Sequence, residues 1–180
     1  MEKINFNSGK IMVSDPCYAM GFVDCTRVLN IKKGDYIMSA NTENETSWGY
    51  RIKELIIKHI DYQSVEPTEF DSSVCVDSGQ CGFFDYEYYK KYHKKDFVDE
   101  DEEDNAWYHR VCDITLNDPM YGIIDNMGCV SESGYGDGRY GVYVAYNSEM
   151  EIVAVKIVFI EDDYDEEDDE DEDDGEWTEI

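Results

Sequence analysis

The glycines Gly136, Gly138 and Gly141 of the run SGYGDGRYG form G-x-G-x-x-G, and Lys156 closes an A-V-K further on. A glycine-rich loop followed by an A-x-K lysine is the apparatus that covers and pairs with nucleotide phosphates in protein kinases. The rest of that apparatus is missing from the sequence. No H-R-D, D-F-G or A-P-E follows Lys156, only a run of acids. His109-Arg110 lies upstream and lacks the aspartate in third place. A dinucleotide site fails too, because VYVAY after Gly141 reads as a strand and supplies no helix N-terminus for a pyrophosphate. The glycines are therefore expected to give positive φ where strands reverse, with Lys156 a structural or edge lysine.

Other chemistry is sparsely supported. The six cysteines are Cys17, Cys25, Cys75, Cys81, Cys112 and Cys129, with no C-x-x-C and no histidine at zinc-finger spacing. His59, His93 and His109 are the only histidines, and no local motif ties one to a cysteine or serine as a nucleophile needs. Setting Gly175 as the sixth position of an EF-hand loop puts the twelfth beyond Ile180, which excludes that site. No catalytic residue is assigned and no resident cofactor is expected. The acid runs should condense divalent cations only weakly and diffusely.

Three clusters stand out as a set: S-D-P-C-Y at 14–18, D-S-G-Q-C-G-F-F-D at 77–85, and S-G-Y-G-D-G-R-Y at 133–140. Each combines small residues, an acid and an aromatic at the end of a strand. Standard turn chemistry accounts for each alone. If they meet at one rim, Asp15, Tyr18, Asp77, Ser78, Gln80, Asp85, Ser133, Asp137 and Tyr140 would line a polar pocket for a small ligand or divalent metal.

The order D-P-C-Y, then D-S-G-Q-x-G-x-F-D, then S-G-Y-G-D-G-x-Y-x-V-Y-V, then a V-x-I-x-F-I-like strand resembles an uncharacterised bacterial and phage family. That family is known only as a domain of unknown function. The resemblance spans roughly Ile11 to Ile160. Cys81 after Gln80 and the long acidic tail depart from it. It implies a strand-rich domain and no particular activity.

The elements that must position these clusters are mostly strands. Ile11–Val13 is a short β-rich run, and Arg27–Ala40 reads as two strands around Lys33-Gly34-Asp35. Trp48–Tyr62 fits either a helix face or a strand; its β-branched isoleucines and lack of a cap favour strand. Val74–Val76, Tyr121–Ile124, Met127–Ser131, Arg139–Tyr146 and Ile152–Ile160 are further strands. Asp125-Asn126 and Asn147-Ser148-Glu149 form turns. Ile152–Ile160 is apolar on both faces and should be a central strand. Tyr86–Lys95, capped by Asp85, and Asn105–Leu116, capped by Asp104 or Asn105, are helices, with the acidic run between them a loop. Trp107, Val111 and Ile114, joined by Tyr108 and Cys112, give the second helix an apolar stripe. The expected fold is α+β: a mainly antiparallel sheet or sandwich at 1–160 with an inserted helical pair, and a disordered acidic tail at 161–180.

Charge points to partners. The formal net charge is −28. Glu161 to Ile180 holds 15 acidic and no basic residues, so the first 160 residues still carry 28 acids against 15 bases. Asp96–Asp104 is a second acidic run, in which Asp99, Glu100, Asp101, Glu102, Glu103 and Asp104 form a candidate partner-binding loop. This balance excludes direct binding of a phosphate backbone and disfavours an anionic membrane. With no 20-residue apolar run and no apolar leader in MEKINFNSGK, the expected location is the cytoplasm, with reduced cysteines. Two functional expectations follow. One is a non-enzymatic acidic protein that meets a basic surface, in its sharpest form a phage or mobile-element nucleic-acid mimic inhibiting a nucleic-acid-binding or defence protein. The other is the rim pocket, in a sequestering protein or a metal-assisted hydrolase.

Overall fold

Ile152–Val158 is apolar on both sides of its pleat apart from Lys156, so it calls for strand neighbours on both edges. A computed structural model, which describes residues 3–20, 23–93 and 102–161, gives it those neighbours, packs Ile152, Val155 and Ile157 into the core and leaves Lys156 and Val158 half-buried. Among the described residues eleven strands form two antiparallel sheets. In chain order they are β1 (Ile4–Phe6), β2 (Lys10–Ser14), β3 (Arg27–Asn30), β4 (Gly34–Asn44), β5 (Tyr50–His59), β6 (Glu69–Val76), β7 (Gln80–Asp85), β8 (Tyr121–Ile124), β9 (Gly128–Glu132), β10 (Gly138–Tyr146) and β11 (Ile152–Val158). The first sheet has the order β1-β4-β5-β11-β10-β6, with β11 in its interior, and the second β3-β2-β7-β9-β8. Two helices, α1 (Tyr86–Tyr92) and α2 (Glu102–Thr115), follow β7.

Period-2 alternation in the second sheet sorts its residues into two cores. Ile11, Val13, Phe83 and Cys129 face the first sheet and meet Leu55, Ile57, Val142, Val144, Val155 and Ile157. Met12, Phe84 and Val130 face the other way, against Tyr89 of α1 and Trp107 and Val111 of α2. The molecule is thus three layers: sheet, sheet, helices. The second sheet is covered on both faces, which is why every residue of β7 is buried. Each fully buried aliphatic or aromatic side chain here contributes roughly 1.5–3 kcal/mol. Phe84 lies flat across the backbone of its own sheet. A Cβ at Gly82 would sit 2.2 Å from the Cys129 carbonyl oxygen and 2.9 Å from the Phe84 ring, and one at Gly128 would sit 2.7 Å from that ring.

The helix ends follow sequence chemistry with one exception. Asp85 caps α1, its carboxylate accepting from the backbone N–H of Glu87 and Tyr88. The second helix begins earlier than expected, at Glu102. Glu102, Glu103 and Asp104 therefore form its first turn and not a loop. Acids there are favoured by the unpaired N–H groups and dipole of a helix start. Asp99, Glu100 and Asp101, like the tail from residue 162, lie outside the described residues.

Two further expectations change and a third is narrowed. Arg27–Ala40 does give two strands, but β3 and β4 belong to different sheets and do not form a hairpin. Of the three motif glycines only Gly136 has a positive φ, 101°, while Gly138 and Gly141 are strand residues of β10. Lys156 stands on an interior strand, 2.7 Å from Glu54 of β5 and 5.6 Å from the Tyr143 ring. Its charge is met by these neighbours, so it is structural and not an edge lysine.

Candidate functional site

The first cluster leaves β2 and is anchored by a buried carboxylate. Asp15 is fully buried. Its Oδ1 accepts from the Cys17 backbone N–H at 2.8 Å and the Ser78 hydroxyl at 2.6 Å. Its Oδ2 accepts from the backbone N–H groups of Asp77 at 2.8 Å and Ser78 at 2.7 Å. One carboxylate thus closes its own turn and pins the second cluster where the chain passes from β6 to β7. Burying a charged group is tolerable only with such saturation. The Tyr89 hydroxyl reaches the same turn from α1, donating to the Tyr18 carbonyl at 2.6 Å.

The third cluster joins the second by backbone. The Ser133 N–H donates to the Gly79 carbonyl at 3.1 Å, and the buried Ser133 hydroxyl donates to the Gly136 carbonyl at 2.8 Å. Tyr140 also donates to Gly136, at 2.8 Å, and lays its ring against Phe159. The three turns therefore converge, but most of the expected pocket lining is consumed in holding them together. Gln80 is buried and ties β7 to the end of α2, accepting from Thr115 at 2.9 Å and facing the Cys112 sulfur at 3.3 Å. Asp85 stands at the far end of β7, where besides capping α1 it accepts from the Ser8 N–H. It is a structural cap and no part of the rim.

What remains open to solvent is narrower. Asp77 and Asp137 are both exposed. Gly138 pairs with Val76, so Asp137 stands opposite Asp77, one step beyond the last paired residues of β6 and β10. No ion pair among the described residues involves either. Burial and a hydrogen bond to Asp77 push the Tyr18 phenol well above its ordinary range. Asp24 is exposed nearby; its carbonyl accepts from Arg139, which pairs across the ladder with Cys75. This end of the sandwich is an acidic rim with an aromatic floor.

The arrangement is unsuited to thiol chemistry. Cys17 is exposed, yet partial desolvation of its thiol and the adjacent Asp15 carboxylate push it upward, away from the thiolate. Burial does the same to Cys81 and Cys129. Among the described residues, no three His, Cys, Asp or Glu side chains are placed to hold a metal ion. The histidines are dispersed: His59 packs edge-on against Tyr36, His93 packs on Tyr89 and Trp107, and His109 is exposed on α2. Burial depresses His93 to about 4.

Two constellations escaped the sequence reading. In one, Trp107 donates to the Tyr88 hydroxyl, which donates to Asp125, and Arg110 grips the same carboxylate with two bonds of 2.8 Å. This chain locks both helices onto the β8–β9 turn. In the other, Trp48 at the β4–β5 tip meets Tyr135 of the third cluster, with ring centroids 6.3 Å apart. Sequence offered a signal only for the first, in the turn-forming Asp125-Asn126 beside an apolar helix.

A family model described as "Protein of unknown function (DUF4241)" matches residues 41–157. Searches of curated proteins and of solved structures find no match. No helix among the described residues is long and apolar enough to cross a membrane. The match covers more than half of the chain, from within β4 to within β11, and the chain belongs to the DUF4241 family.

Proposed function

We propose that this protein is a non-enzymatic binding protein that presents carboxylates to a basic surface on another protein. The observation that carries the reading is the division of labour among its acids. Asp15 and Asp85 are buried and fully occupied in structure, whereas Asp77 and Asp137 are exposed at opposite positions just beyond β6 and β10, with no ion pair among the described residues. Like charges at opposite positions by a strand end do nothing to hold the pair together, so their presence there fits a use outside the fold. The sharper form is mimicry of nucleic acid, with carboxylates replacing phosphates in the basic groove of a nucleic-acid-binding protein. Cytoplasmic, phage-borne inhibition of a defence protein is the setting in which such a device would work. The ligand-pocket alternative finds less support, since the Asp15 and Asp85 carboxylates it would use are already taken and only Asp77 and Asp137 are left at the rim.

Long-range steering by this charge predicts fast encounter and weakening with salt. The test is capture on the immobilised full-length protein at low salt, elution by a salt gradient, and competition with duplex DNA. Asp77→Asn with Asp137→Asn should lower the eluting salt, and DNA should displace the partner. The reading is lost if the double variant elutes at the same salt and DNA displaces nothing.

A further inference from the structure

The tip of the β4–β5 hairpin extends beyond the packed layers. From Asn41 to Arg51 no residue is buried, and Ile52 is the first to enter the core. The tip is nonetheless well defined. A turn at Thr46–Trp48 is closed by Glu45 N–H to the Gly49 carbonyl at 2.9 Å and Trp48 N–H to the Glu45 carbonyl at 2.9 Å. Gly49 supplies a φ of 76° that a side chain would resist.

Against this tip lies the Ser133–Gly136 turn. A Cβ at Gly134 would come within 3.1 Å of Ile160 and Phe159 and 3.2 Å of the Ile52 carbonyl oxygen, so the turn is pressed onto the base of the hairpin. Trp48 and Tyr135 consequently meet edge to face, at 82°. Arg51 stands 5.9 Å from the Trp48 ring and pairs with Glu132 of β9. Trp48, Tyr50 and Tyr135 remain 64%, 65% and 54% exposed. Single exposed aromatics are ordinary, but Trp48 and Tyr135 brought together from two separate turns, with Tyr50 two residues on at the start of β5, are not.

Charge decides what such a surface would take. Glu45 adjoins the tip, Asp137 follows Tyr135 by two residues, and Glu161 follows the Ile160 that bonds to Lys53 of β5. None of these three acids is in an ion pair among the described residues. Aromatic faces bordered by carboxylates attract cations through both the ring quadrupole and Coulomb forces. Guanidinium groups suit such a surface better than ammonium groups, because they stack on the ring and are more weakly hydrated. The contact of Arg51 with Trp48 already displays this affinity within the molecule.

We infer that Trp48, Tyr50 and Tyr135 form the anchoring centre of an interaction surface for an arginine-rich segment of a protein partner. This rests on the proposed function and deepens it: the acidic rim supplies attraction at a distance, and the rings supply short-range holding. Aromatic anchors ringed by polar groups are the usual source of binding energy in such interfaces.

The test uses the full-length protein and nona-arginine, nona-lysine and a neutral glycine–serine peptide as probes. The indole N–H resonance of Trp48, assigned by its loss in Trp48→Phe, is followed by NMR. Nona-arginine should shift it saturably, nona-lysine less, and the neutral peptide not at all. The Trp107 indole, bonded to Tyr88, should stay still. Trp48→Ala with Tyr135→Ala, both exposed and expected to keep the wild-type melting temperature, should weaken nona-arginine binding about tenfold with an unchanged salt dependence. Asp77→Asn with Asp137→Asn should instead flatten the salt dependence. A Trp48 resonance that stays put at saturating nona-arginine, or an undiminished affinity in the aromatic double variant, overturns the inference. Failure of the aspartate pair alone overturns the rim and leaves the aromatic anchor standing.

Discussion

Replacing Asp15 by asparagine should destabilise the fold severely, and the structure sets the size. Four donors converge on the carboxylate: the N–H groups of Cys17, Asp77 and Ser78 and the hydroxyl of Ser78. An asparagine keeps one acceptor oxygen and turns an NH2 toward the two donors served by the other. Each charge-assisted bond lost to a buried donor costs about 1.5–2 kcal/mol, so the variant should lose about 3–4 kcal/mol. Alanine, which strands all four donors, should lose more, against a total stability of only about 5–15 kcal/mol. Ser78→Ala removes a single donor and leaves the carboxylate three partners, for about 1 kcal/mol. Urea unfolding at neutral pH reads these values. With a denaturant slope of about 2 kcal/mol per molar, the Asp15→Asn midpoint should fall by about 1.5–2 M. A double-mutant cycle with Ser78→Ala should show the two losses to be strongly non-additive. A midpoint shift below about 0.5 M, or plain additivity, would refute the assignment of Asp15 as the clamp between the first two turns.

Two further substitutions test other parts of the fold. His93 is held neutral by burial, at about 4 against an ordinary 6.5, so the unfolded chain takes up its proton first as pH falls. The folded state keeps the full benefit above pH 6.5 and loses it progressively down to pH 4, by at most about 3 kcal/mol. The difference in thermal stability between the wild type and His93→Gln should therefore change across that window and be flat above it. Gly82→Ala puts a Cβ 2.2 Å from the Cys129 carbonyl oxygen, a backbone atom that cannot step aside. It should cost about 3 kcal/mol or more, or abolish soluble expression, as judged by circular dichroism and yield.

Local chemistry was legible where a residue's role depends on its neighbours in sequence. The two apolar faces of Ile152–Val158 pointed to an interior strand, Asp85 before a helical run pointed to a cap although the same residue also stood among the rim candidates, and Asp125-Asn126 made the turn it promised. The helix start at Glu102 was misread because a block of acids looks equally like a solvated loop. Only the helix dipole, which favours acids at that end, separates the two. The sheet assignment of β3 and β4 rests on pairing with distant strands, to which adjacency in the chain is blind. The site divided on the same line. The clustering of three turn motifs was visible, yet Asp15 and Asp77 are the same residue type in similar turns. One is fully buried and the other is exposed, and only the position of the β6–β7 crossing decides which. The meeting of Trp48 with Tyr135 depends on Gly134 pressing one loop onto another.

The placement of β2 carries a lesson about where this module begins. The family match starts at Asn41, inside β4, yet β2 lies between β3 and β7 and delivers Asp15. A fragment cut to the matched span would sever a strand. It would leave β7 with a bare edge and strip Ile11, Met12 and Val13 from both cores. Such an edge, long and apolar on both faces, is a template for aggregation. The heritable signature and the folding unit therefore have different limits. Residues 4–40 belong to the architecture as fully as the segment that bears the recognisable sequence.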